Sequence, residues 1–169
     1  MSGWTAQGKA AQAASAAELR YRMSYPLAPS RGVRVVALDS GAESVVRKVA
    51  ASSTWNKVRF YAAETILNSH GIHSAPVEVV LHGLDGAEES LNDELEDVDS
   101  TIMVATSDFG SEAAATIGAA CSVRGIMTAG LVHGEDTEHT VSALRPYAQV
   151  LLVPADDGDL EAILTAMRA

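Results

Sequence analysis

The sequence predicts an α/β fold in which a mostly parallel sheet of about six strands carries helices on both faces, preceded by an N-terminal helical arm. From residue 33 onward, short runs rich in Val, Ile and Leu alternate with helix-length segments, the pattern of strands buried on both sides and joined by crossover helices. Residues 100–132 read as one complete βαβ unit: a buried strand, a small-residue loop, a helix and a second buried strand. Residues 1–32 differ in composition, with four basic residues and one acid, against eight basic and twenty-one acidic residues in 33–169. Together these features imply one domain over 33–169, a mostly parallel sheet covered on both faces, and a separate arm and linker over 1–32.

The arm begins with an alanine-rich stretch, 6–23, of high helical propensity, and the two prolines and closing glycine of 24–32 stop it. Trp4, Arg20, Tyr21, Arg22 and Tyr25 are residue types that dominate protein interfaces, so the arm is read as a docking segment. Its acid-poor, Arg- and Ser-containing character overlaps with transit peptides, and a disordered leader is the plainer alternative. The body then reads as strand 33–38, helix 41–51, strand 58–62, a helical turn at 64–70 and strand 77–81. An acidic helix at 86–95 follows, with its carboxylates on a solvated face. After it come strand 101–106, helix 111–122, strand 126–132, helix 137–147, strand 149–153 and a closing helix at 158–167.

Composition narrows the function classes. The apolar runs fall well short of the roughly 20 residues that cross a bilayer, and an acidic body repels nucleic-acid phosphates and anionic lipid. Neither nucleic acid nor membrane is an expected partner. A single cysteine, Cys121, excludes an intrachain disulfide and agrees with a reducing, cytoplasmic setting. The basic arm suits an acidic protein surface.

Two loops fall at the carboxyl edge of the predicted sheet, where α/β folds bind ligands. The first offers Asp39, Ser40 and Gly41, the second Ser107, Asp108, Gly110 and Ser111. A phosphate loop needs several glycines, so that backbone amides approach the anion with no Cβ in the way. Here one glycine stands in each loop, beside Asp39 and Glu43 in the first and Asp108 and Glu112 in the second. Helix capping accounts for Asp39 or Ser40, and for Asp108 or Ser111, without a ligand. Five histidines, His70, His73, His82, His133 and His139, show no metal-ligand spacing, although His82 and His133 each follow a buried strand at the same sheet edge as the two loops, so that His82, His133 and Asp108 are expected to converge there; exposed loop histidines are the plainer alternative. Ser44 and Ser107 lack a nucleophile elbow. Cys121 lies inside an alanine-rich helix, where a small buried thiol is usual. No catalytic residue, metal site or cofactor is assigned.

Residues 98–106, 124–132 and 147–156, and more weakly 33–46, resemble the nucleotide-binding half of the tubulin/FtsZ family of GTPases. The resemblance implies a three-layer, Rossmann-like sheet over 33–169 with its ligand edge at the two loops, and GTP or GDP as ligand. The family's Gly-Gly-Gly-Thr-Gly-Thr-Gly signature corresponds to 107–113, where Gly110 alone matches, and its glycine-rich first loop is reduced to Gly41. The matched residues do not include the family's central helix, catalytic acidic loop or second domain, so filament formation and hydrolysis are not carried over. The expected function is a non-catalytic accessory or scaffold subunit that docks on a larger protein complex or enzyme subunit through its arm; homo-oligomerisation is compatible with this. The alternatives are a nucleotide-binding protein or weak GTPase, and a small enzyme using His82, His133 and Asp108.

Overall fold

The computed structural model describes residues 31–66 and 77–169. The chain divides after Ser30 into two units, Met1–Ser30 and Arg31–Ala169, and the second is described here. The arm residues Trp4, Arg20, Tyr21, Arg22 and Tyr25 lie outside the described residues, as do His70 and His73.

Seven strands are described: β1 (Val33–Ala37), β2 (Val58–Ile66), β3 (Glu78–Gly83), β4 (Glu88–Ser90), β5 (Ser100–Ala105), β6 (Met127–Val132) and β7 (Val150–Leu152). They form one sheet of order β4-β3-β2-β1-β5-β6-β7. β1 pairs in parallel with β2 and β5, placing Val33 opposite Val58 and Ser100 and Ala37 opposite Ala62 and Val104. β6 and β7 continue the parallel set, whereas β3 and β4 are antiparallel. Apart from β4, this is the doubly wound order with its third strand reversed.

Five helices complete the three layers: α1 (Ser40–Ser52), the single turn α2 (Leu91–Glu94), α3 (Ser111–Arg124), α4 (Glu138–Leu144) and α5 (Asp159–Ala166). Side chains alternate across β1 because successive Cβ atoms point to opposite faces. Val33, Val35 and Ala37 join Ala42, Val46 and Val49 of α1 and Leu160 and Leu164 of α5 in one core. Val36 and Leu38 join Ala113, Ala114, Ile117 and Cys121 of α3, Leu144 of α4 and Leu91 of α2 in the other. The spacing of 42, 46 and 49 is the apolar stripe of a helix packed by one side. On α3 the buried residues are mostly Ala and Gly, and at Gly118 the missing side chain makes room for the Tyr147 ring, 2.4 Å from where a Cβ would stand.

Two expected elements differ. The turn expected at 64–70 is strand as far as Ile66, because β2 pairs with β3 through Ile66↔Glu78; 67–70 lie outside the described residues. The acidic helix expected at 86–95 is β4 followed by α2. Glu88, Glu89 and Ser90 pair with β3, and only then does the chain turn inward, burying Leu91, Leu95 and Val98. Its carboxylates are not all solvated. Glu94 is 8% exposed, takes Arg34 Nε at 3.1 Å and Arg59 Nη1 at 3.2 Å, and accepts the Tyr61 hydroxyl. Arg34 is equally buried. Burial alone would raise the Glu94 pKa, but the Tyr61 hydroxyl and the two guanidinium groups outweigh it and hold the carboxyl below its ordinary range. Burial, with Glu94 beside it, pushes the Tyr61 phenol up to about 12.

Candidate functional site

β1 and β5 are neighbours whose connections leave in opposite directions: α1 crosses one face to β2, and α3 crosses the other to β6. The loops that follow them therefore diverge, and a crevice at this point is the usual ligand position in doubly wound sheets. In this chain Asp39 bridges the two loops at that point. Asp39 is the N-cap of α1, with Oδ1 accepting from Ala42 N at 2.8 Å and from Thr106 Oγ1. Oδ2 accepts from Thr106 N at 2.8 Å and Ser107 N at 3.1 Å. Burial pushes the carboxyl pKa up, but these hydrogen bonds outweigh it and hold Asp39 below the usual carboxylate range. The capping role expected of Asp39 is the one observed.

The two loop glycines bring the loops together. A Cβ on Gly41 would lie 2.2 Å from Thr106 Oγ1, and one on Gly110 would lie 2.5 Å from Leu38 Cβ and 2.9 Å from Leu38 O. Side chains there would wedge open the crevice that Asp39 bridges. Ser40 is the exposed first residue of α1, its carbonyl accepting from Ser44 Oγ. Ser107 caps a 3-10 turn (Asp108–Gly110) that leads into α3 at Ser111.

Asp108 reaches past α3, the helix it was expected to cap, to the start of α4. Its Oδ1 accepts from His139 N at 2.9 Å and Thr140 N at 3.0 Å, and His139 Nδ1–H donates to Oδ2 at 2.8 Å. Thr140 Oγ1 donates to Ser107 O at 2.9 Å. The hydrogen bond with His139 holds Asp108 below, and His139 above, its ordinary pKa. The loop after β5 is thus pinned on one side to Asp39 and on the other to α4.

His82, His133 and Asp108 do not converge. β3 is antiparallel and separated from β5 by β2 and β1, three interstrand steps or roughly 14 Å. His82 Nε2 donates to Glu64 Oε2 at 2.7 Å instead. His133 donates its backbone N–H to Ala105 O at 2.8 Å, and its buried Nε2 has no hydrogen-bond partner among the described residues. The histidine that meets Asp108 is His139, which chain order did not single out. Among the described residues, no three His, Cys, Asp or Glu side chains come together to hold a metal ion. The Cys121 thiol is pushed up by burial. No described helix is long and apolar enough to cross a membrane.

Phe109 was not among the expected site residues. It stands 93% exposed on the 3-10 turn, at the rim of a cleft of about 660 Å³ lined by Thr106, Ser107, Asp108, Phe109, Glu135 and Asp136. An aromatic residue amid polar ones in a strand-to-helix loop was the available signal. No protein-family model matches the chain, and neither does any curated protein.

Proposed function

We propose that this chain is a non-catalytic accessory or scaffold subunit, a tubulin/FtsZ-type nucleotide fold whose ligand crevice is bridged by its own carboxylate, held to a larger protein assembly by the arm 1–32. The observation that carries this reading is the set of hydrogen bonds to Asp39. The amides of Ala42, Thr106 and Ser107 are the donors that a phosphate at this crevice would need, and an ionised side chain already takes them. A nucleotide would have to displace that carboxylate or sit beside it. Two unit charges 4 Å apart near a protein surface repel by about 4 kcal/mol, and Glu112 in the first turn of α3 adds to the opposition, whereas Glu43 in the first turn of α1 is paired with Arg47. The arm's aromatic and arginine residues supply the chemistry of an anchor. The single, buried thiol fits a reducing, cytoplasmic setting.

Equilibrium dialysis against GTP and GDP tests the first half. Saturable binding tighter than about 1 mM is not expected; a micromolar complex that is lost on Gly110→Trp would return the chain to the nucleotide-binding class. A pull-down from the source organism tests the second half. Full-length protein should retain an assembly that protein lacking residues 1–30 loses, with Tyr21→Ala and Arg22→Ala weakening it. Recovery of the same partners by both forms would move the interface to the body.

A further inference from the structure

We propose that the carboxyl-edge cleft beside Phe109 docks an arginine-bearing basic segment of a partner protein, the guanidinium stacking on the Phe109 ring and pairing with Glu135 and Asp136. This adds a contact to the accessory role above without resting on the arm.

The first support is the way Phe109 is held out. Phe109 N donates to Ser107 Oγ, Ser107 O accepts from Thr140, and the Asp108 carboxylate is tied to α4 by His139 and Thr140. Gly110 is pressed against Leu38. The backbone on both sides of the ring is therefore anchored, in an arrangement that leaves the Phe109 ring exposed. A large apolar side chain fixed in full contact with water is unfavourable for an isolated domain, and rigid aromatic residues at a cleft are the usual anchors of interfaces.

The second support is charge. Glu135 and Asp136 share the cleft with Phe109, and neither has an ion-pair partner among the described residues. Asp108 lines the same cleft, its carboxylate hydrogen-bonded to His139. Residues 33–169 carry eight basic and twenty-one acidic side chains. This field attracts a cation and repels nucleic acid, anionic lipid and the same face of a second copy. Arginine satisfies both features, because its planar guanidinium stacks on an aromatic face while its fork pairs with carboxylates, whereas lysine presents a compact, strongly hydrated charge.

The test uses the full chain and, as probe, an acetylated hexapeptide of alternating glycine and arginine, followed by backbone amide shifts. Shifts should cluster at 106–109 and 135–136, and the lysine counterpart should bind about threefold more weakly. Phe109→Ser should weaken arginine-peptide binding about tenfold while the thermal midpoint stays in place, since the ring makes no core contact to lose. The proposal is overturned by shifts spread evenly over the acidic surface including 85–99, by equal binding of the two peptides, by unchanged affinity in Phe109→Ser, or by no binding. Self-association in sedimentation that Phe109→Ser abolishes would make the occupant a second copy and overturn it as well. Loss of the arm-dependent assembly is a separate readout, so failure of either proposal leaves the other standing.

Discussion

Asp39 receives hydrogen bonds from Ala42, Thr106 and Ser107, so its removal strips a helix cap and leaves two loop amides without acceptors. Asp39→Ala should cost about 2–4 kcal/mol, measured as a fall in denaturation midpoint at unchanged m-value; Asp39→Asn should recover part of it, because one acceptor oxygen remains. Glu94 should matter more. Glu94→Ala leaves the Arg34 guanidinium buried without its anion, a loss of about 3–5 kcal/mol, while Arg59, whose side chain is 64% exposed, should lose no more than about 1 kcal/mol on Arg59→Ala. Both carboxyls titrate below their ordinary values of 3.8 and 4.5. Stability they contribute is therefore present above those values and is lost as pH falls through the lower folded ones. The contribution of these two carboxyls to the thermal-melting profile should be flat above about pH 5 and fall steeply below about pH 4, with Asp39→Asn and Glu94→Gln each flattening the acid limb. An acid limb unchanged in both variants would show that neither carboxylate carries this term. At this scale the sequence was partly legible: the cap at Asp39 follows from its place just before a helix, whereas the partners of Glu94 come from three other positions and leave no local trace.

The loops after β1 and β5 touch because Gly41 and Gly110 permit it, and the two positions differ in what a methyl group would meet. On Gly110 it strikes the Leu38 Cβ and carbonyl oxygen, while on Gly41 it strikes a threonine hydroxyl that can rotate. Gly110→Ala should therefore be the more damaging, by about 1–3 kcal/mol from overpacking, and Gly41→Ala should act mainly by breaking the Thr106–Asp39 hydrogen bond. Equal midpoints for the two variants would contradict this ranking. Most element types were readable from periodicity, because buried strands and one-sided helices leave their spacing in the chain. The acidic stretch misled because Glu88–Ser90 is held as strand by pairing with β3, against its composition. The direction of β3 was unreadable for the same reason, since pairing between strands is not a property of either strand alone.

For the whole molecule, the core pattern of the sequence begins at Val33 and the two prolines of 24–32 set the arm apart from it, so deletion of residues 1–30 should shift the thermal midpoint of the body by no more than about 2 °C. Aggregation or unfolding of the truncated chain would place the arm inside the fold. The α/β class, the three layers, the crossover helices and the location of the two loops at one edge were determined by the sequence alone, because each rests on local spacing, burial pattern and connection length. Only the tertiary structure decided what that edge contains. Asp39 meets an amide sixty-seven positions away, Asp108 pairs with His139 while His82 turns to Glu64, and Phe109 is left in water. Each outcome depends on which strands lie side by side and how closely their loops approach, and these distances are set by packing between residues far apart in the chain.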